Sequence, residues 1–238
     1  MAPIEVEAQG LRAAQTEGSG SYTTDITTAG SKTPTPVREV PQTVTVMTRQ
    51  QLDDANLNTL EDAFQWTPGI TVATGDTFSA SLYSRGHEIF TYAVDGLVRP
   101  LLSLYGTAPD MVFFDRIEVL SGPTGLFNGT GEPAGTINLS RKRALATFGM
   151  SGSAYAGSFN HYRGEADITG PLNDAGTVRA RVVGFGETEE SFIDVVDAQK
   201  GGGYATLEYD PTKRTKLAFG GIYERQDVNR TPGLPTFA

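Results

Sequence analysis

The sequence predicts a mixed α+β domain followed by the antiparallel strands of an incomplete transmembrane β-barrel. Three observations predict it. Residues 41–146 mix short stretches of helical and strand periodicity, separated by turn residues. After residue 146 the hydrophobic period becomes two for long stretches. The five strands counted there cannot close on themselves, and each leaves an edge and a wide face uncovered.

Residues 1–40 are rich in Thr, Ser, Gly, Ala and Gln and have little to bury. They read as an extended, mostly disordered arm. Within it Ile4, Glu5, Val6, Glu7 and Ala8 alternate apolar and acidic. That pattern suits either a strand added to a partner's sheet or a frayed terminus. Pro34 and Pro36 form a stiff hinge before the first structured element.

Residues 41–146 begin with a Thr/Val alternation over Thr43–Met47, a half-buried strand. Thr48 and Gln51 fit a capping box that opens a short helix over 49–55. A second helix covers about 59–66, with Leu60, Ala63 and Phe64 on one face. Pro68 and Gly69 end it. A strand follows at 70–73. Tyr92, Ala93 and Val94 lead into the turn Asp95-Gly96. Residues 114–120 form a strand with Ile117 and Val119 on one face. A loop with five Gly and two Pro spans 121–135. Residues 136–139 close the sheet, and Arg141, Lys142 and Arg143 end the domain.

Residues 147–238 contain five alternating strands, at about 148–156, 163–170, 177–185, 204–210 and 216–224. One face carries Arg163, Glu165, Asp167, Arg179 and Arg181, and the other is small, aliphatic or aromatic. Turns at 171–176 and 211–214 are tight, whereas 189–200 reads as a longer polar loop. Short turns on one side and longer loops on the other suit an outer-membrane barrel, and a soluble meander with one wet face is the alternative. A barrel wide enough to house about 100 residues needs about 22 strands, more than this region supplies.

Composition narrows the function. The net charge is −9, split −6 and −3 about residue 146, so no cationic domain is present for nucleic acid. There is no Cys and there are two His, which removes disulfides, thiolate sites and His-built metal centres. No apolar run is long enough for a transmembrane helix. The first five residues lack a secretory leader pattern, as expected of a cytosolic chain or one whose leader was replaced. Enzyme readings fail. Gly129, Gly131 and Gly135 precede no helix pattern, so they make no dinucleotide fingerprint. Asp53, Asp54, Glu61 and Asp62 read as helix-surface and first-turn charges.

Taken in order, several motifs resemble the plug of TonB-dependent outer-membrane receptors. They are Val40-Pro41-Gln42-Thr43-Val44-Thr45-Val46, then Thr59-Leu60-Glu61-Asp62-Ala63 with Thr67-Pro68-Gly69-Ile70, then Ser84-Arg85-Gly86 and Asp95-Gly96. Arg116-Ile117-Glu118-Val119-Leu120-Ser121-Gly122-Pro123 and Gly129-Thr130-Gly131-Glu132-Pro133-Ala134-Gly135 complete them. Details near residues 30–36 and 124–129 resemble the ferric-siderophore branch.

The resemblance implies a 1–40 arm, a 41–146 plug and the first strands of the barrel at 147–238, an N-terminal piece of a larger protein. It implies a non-enzymatic importer of a ferric siderophore in the bacterial outer membrane, with no cofactor of its own. Its partners would be the siderophore, TonB of the inner-membrane TonB-ExbB-ExbD complex, and outer-membrane lipid. Ile4–Ala8 sits where the TonB box belongs. Tyr105, Phe90, His87 and Phe127 fall on the loops implied to face the ligand, with the siderophore rather than His87 filling the metal's coordination sphere. Arg85 and Arg116 are the implied ion-pair partners of the barrel wall. Ser121 stands where the family usually has Arg, and Ala134 where a second Gly is common. A receptor for a vitamin or oligosaccharide, and a soluble plug-only binding module, are the alternatives.

Overall fold

The computed structural model describes residues 14–30, 33–76, 79–100, 109–122, 133–212 and 215–229. Strands β1 (Ile26–Thr27) and β2 (Thr35–Pro36) pair antiparallel. β3 (Thr43–Met47) runs through Thr48 into α1 (Arg49–Asp54). The capping box forms as expected: the Gln51 amide donates to Thr48 Oγ1, and the Thr48 amide donates to Gln51 Oε1 at 3.2 Å. α2 (Leu60–Gln65) is capped by the Thr59 hydroxyl, which accepts from the Asp62 amide at 3.1 Å. Its Leu60, Ala63 and Phe64 are buried.

β4 (Ile70–Asp76), β5 (Ser79–Ser84) and β6 (His87–Glu88) form a small antiparallel sheet. The two-residue turn Arg85-Gly86 has φ of 52° and 83°. β7 (Thr91–Val94) and β8 (Leu97–Pro100) are joined by Asp95-Gly96, with φ of 49° and 80°. Positive φ at both central residues matches the right-handed twist of a hairpin, which is why Asp-Gly marks one. A 3-10 turn at Met111–Phe113 leads into β9 (Phe114–Ser121), and β10 (Gly135–Arg141) returns beside it. The main plug sheet has the order β3-β9-β10-β7-β8, with β10 and β7 parallel. Gly135 must be glycine: its φ is +123°, and a Cβ would lie 2.3 Å from the Leu120 carbonyl oxygen.

β11 (Gly149–Ala156), β12 (Tyr162–Pro171), β13 (Val178–Glu190), β14 (Asp197–Thr212) and β15 (Thr215–Asn229) form an antiparallel meander in chain order. The expected 189–200 loop is much shorter, because β13 runs to Glu190 and β14 starts at Asp197. Gly186 and Gly201 to Gly203 erase the alternation there, but the backbone ladder continues through Gly186↔Gly201 and Glu189↔Ala198.

The two faces of this sheet decide between the open alternatives. Arg163, Asp167, Arg179, Arg181 and Glu208 are buried, and all but Arg179 bond to plug or junction residues. Met150, Val182, Leu207, Phe219 and Tyr223 point the other way and are exposed, Phe219 by 66% and Tyr223 by 73%. A water-soluble meander hides its apolar face and wets its charged one. The reverse arrangement belongs to a barrel wall with a polar interior. Among the described residues no helix is long and apolar enough to cross a membrane, a test that does not concern strands.

One hydrophobic core spans both regions. Leu52, Leu60, Phe64, Met111, Phe113, Phe114, Ile117, Ile137 and Leu139 are buried with Val183, Phe185 and Tyr204 of the wall. The Phe113 ring meets Phe185 edge-on at 5.7 Å and lies 6.3 Å from Tyr204.

Candidate functional site

The charged residues collect in three places: under the arm, at the junction where the plug enters the wall, and at the opposite end of the wall. Under the arm, β9 carries two fully buried carboxylates. Asp115 accepts from the Thr16 amide at 3.1 and 3.0 Å, from the Thr16 hydroxyl, and from the Glu17 amide at 2.7 Å. Glu118 accepts from Thr27 Oγ1, the Thr28 amide, Thr28 Oγ1 and Asn138 Nδ2 at 3.1, 2.8, 2.7 and 2.8 Å. Arg116 lies between the two carboxylates, 3.1 Å from Asp115 and 2.9 Å from Glu118. Burial alone would raise the Glu118 pKa. The Arg116 charge and the Thr28 and Asn138 hydrogen bonds outweigh it and hold the carboxyl below its ordinary value. Thr16, Glu17, Thr27 and Thr28 are therefore held against β9, in an arm whose sequence reads as mostly disordered. Their hydroxyls and amides supply donors that two buried carboxylates require.

At the junction, Lys142 Nζ donates to Asp167 at 3.0 Å, and Tyr204 donates to the Lys142 carbonyl at 2.8 Å. Burial and the nearby Arg49 charge lower the Lys142 pKa against the pull of Asp167. Arg181 uses all of its N–H groups here. Two go to Asp167 at 2.8 and 2.6 Å, two to Glu17 at 2.6 and 2.5 Å, and one to the Arg143 carbonyl at 3.0 Å. The arm, the junction and the wall meet at this one guanidinium.

At the opposite end, Arg163 donates to both oxygens of Asp110 at 2.7 and 2.8 Å and to Glu187 at 2.9 Å. Its guanidinium sits 4.7 Å over the Phe185 ring. The Asp110 amide donates to Glu224 at 3.1 Å. Burial raises the Asp110 pKa, with Arg163 pulling it back. His161, Glu187 and Glu189 bring potential ligand atoms within 4.8 Å of one another. Arg163 and Lys200 already occupy those carboxylates, so the cluster is an ion-pair network. A cavity of about 510 Å³ opens between α2, β4 and this part of the wall.

The residues singled out from the sequence lie as follows. Arg85 is exposed in the β5–β6 turn, and a Cβ on Gly122 would lie 3.6 Å from its Nη1. The ion-pair partners of Arg116 among the described residues, Asp115 and Glu118, belong to the plug rather than the wall. His87 and Phe90 are exposed on either side of buried Ile89, whose amide donates to the Leu82 carbonyl at 2.8 Å. Tyr105, Phe127 and residues 4–8 lie outside the described residues. The ion pairs that do join plug or arm to wall use Asp110, Lys142, Arg143 and Glu17. Their wall partners were legible as a charged face, but nothing local marked which plug residue each would meet.

A family profile described as the TonB-dependent receptor plug domain matches residues 36–136. Over its whole length the chain is 42% identical to the ferric-pyoverdine M114 receptor PbuA of Pseudomonas sp., covering 29% of that protein. The chain belongs to the TonB-dependent receptors. It is also 37% identical to a ferric-pyoverdine 358 receptor of Pseudomonas putida, over 98% of this chain and 29% of that one. Among solved structures it is similar to the pyoverdine outer membrane receptor FpvA from Pseudomonas aeruginosa PAO1 bound to pyoverdine. That match has a TM-score of 0.85 and 38% identity, over 90% of this chain and 32% of that chain. The chain thus spans about 29% of the length of the curated relatives it matches. These relatives are receptors, a family without enzymatic activity.

Proposed function

We propose that the intact receptor imports a ferric siderophore, of the pyoverdine kind or close to it, across the bacterial outer membrane. The observation that carries this reading is the 42% identity to a ferric-pyoverdine receptor along the full chain. In this reading the plug fills the barrel lumen, with the arm toward the periplasm. The exposed apolar face of β11–β15 meets lipid. Tyr105, Phe90, His87 and Phe127 contact the ligand from the plug apex. Ile4, Glu5, Val6, Glu7 and Ala8 form the TonB box, which pairs with TonB by strand addition. Arg85 and Arg116 stay candidate partners for carboxylates further along the barrel.

The test is uptake of radiolabelled iron by cells that lack other siderophore receptors and express the intact receptor. A panel of ferric pyoverdines, ferric hydroxamates, a vitamin and an oligosaccharide is offered, with and without a functional TonB. TonB-dependent accumulation of iron from a pyoverdine supports the reading. Accumulation of only the vitamin or the oligosaccharide overturns it.

A further inference from the structure

The contact between Glu17 and Arg181 joins parts of the chain 164 residues apart. Among the described residues it is the ion pair that ties the arm to the wall. Three features set it apart from the other buried charges.

First, it lies near the start of the described part of the arm. The Thr16 and Glu17 amides both donate to Asp115, and Thr16 Oγ1 accepts from the Arg49 amide at 2.9 Å. A pull applied ahead of Ala14 loads these bonds before it reaches Thr27 and Thr28, which Glu118 holds ten residues further along.

Second, the anchor behind the pair is deeply buried. Asp115 follows Met111, Phe113 and Phe114, all fully buried, and Asp110 at the start of that stretch is pinned to Arg163 of the wall. The arm is therefore held between a plug strand and a wall strand.

Third, the pair can open without exposing an unpaired buried charge. Arg181 is 2% exposed and keeps both bonds to Asp167 and one to the Arg143 carbonyl when Glu17 leaves. The Glu17 side chain is 20% exposed and already borders water. Removing Glu118 would instead strip Arg116 and Asn138 of a buried acceptor, a far costlier change.

We propose that the Glu17–Arg181 pair is a releasable clamp, closed at rest, that must open before a pull on the arm can pass beyond Glu17 to Thr27 and Thr28. The inference rests on the TonB-driven reading above for the source of the pull. It assigns Glu17 and Arg181 a gating role in transport, separate from ligand binding.

The test uses the intact receptor in lipid vesicles and in cells. In Glu17→Gln the charge is lost but the shape is kept. Amide hydrogen exchange at positions 16 and 17 should accelerate by at least about tenfold, while the Thr28 amide and the affinity for ferric pyoverdine stay unchanged. Unchanged exchange at 16 and 17 overturns the clamp. A second variant pairs Glu17→Cys with Arg181→Cys; this chain has no other cysteine. Bridging the two thiols with a bismaleimide should abolish iron uptake and leave siderophore binding intact, whereas the unbridged receptor transports. Uptake by the bridged receptor at the unbridged rate also overturns the clamp. If no siderophore is imported at all, the uptake reading fails by itself, and the exchange measurement still decides the clamp.

Discussion

Removing the Glu118 carboxylate should release the arm from β9. Glu118 is 0% exposed and accepts five hydrogen bonds: from Thr27 Oγ1, the Thr28 amide, Thr28 Oγ1, Arg116 Nε and Asn138 Nδ2. In Glu118→Ala the Thr28 and Asn138 N–H groups lose a buried acceptor, and Arg116 keeps Asp115 and Thr28 among the described residues. Breaking a buried ion pair by removing one partner costs about 3–5 kcal/mol. The lost neutral bonds belong to the same network and do not simply add to it, so about 4 kcal/mol is expected. At about 1.4 kcal/mol per tenfold, the Thr28 amide should exchange on the order of 10³ times faster in the intact receptor. Glu118→Gln keeps the shape and one acceptor oxygen and should give a smaller acceleration. The pH dependence follows from the lowered pKa. A depressed carboxylate contributes stability that is present above its unfolded pKa of about 4.3 and lost as pH falls through the folded value. The gap between wild type and Glu118→Gln should therefore be widest near neutral pH and close in acid. Thr28 protection that is the same in Glu118→Ala and wild type would show that Glu118 does not hold the arm on β9.

Three further outcomes are expected. Arg163→Ala leaves Asp110 and Glu187 buried without their guanidinium and should weaken the plug's hold on the wall by about 3–5 kcal/mol, read as loss of protection of the 111–114 amides at lower urea. Burial raises the Glu61 pKa. A raised carboxylate stabilises the fold only below its unfolded pKa, and that contribution is lost as pH rises through the folded value; Glu61→Gln should therefore slow exchange of the α2 amides relative to wild type at pH 7, with the ratio falling toward one near pH 4. Tyr105→Ala should weaken ferric-siderophore binding, measured by tryptophan quenching or calorimetry, without altering the circular dichroism of the receptor; unchanged affinity would remove Tyr105 from the plug apex.

Local signals were legible where local chemistry decides the conformation. Thr48 and Gln51 need only each other to cap α1, and Asp95-Gly96 needs only a positive φ at both positions to make its turn. The alternation of Arg163, Glu165 and Asp167 marked a charged face, but both a barrel and a soluble meander alternate. Only the plug lying on that face distinguishes them. The sequence predicts a β14 shorter than the one formed, because Gly201, Gly202 and Gly203 carry no side-chain pattern, although the backbone ladder needs none. The arm reads as mostly disordered because Thr16, Thr27 and Thr28 have little apolar surface to bury. Their order comes from Asp115 and Glu118, about 90 to 100 residues away. Asp110 and Arg163 likewise meet across 53 residues, a pairing that spacing alone does not encode.

Oxygen and nickel-chelate accessibility of spin labels on the wall, in the intact receptor reconstituted in a bilayer, tests the inside-out sheet directly. Labels at Val182, Leu207 and Phe219 should collide freely with lipid-dissolved oxygen and be shielded from the aqueous chelate, while a label at neighbouring Thr206, buried on the opposite face, meets neither readily. Equal access of the chelate to Val182, Leu207 and Phe219 would show that this face is wet, and the wall would then not be a membrane wall.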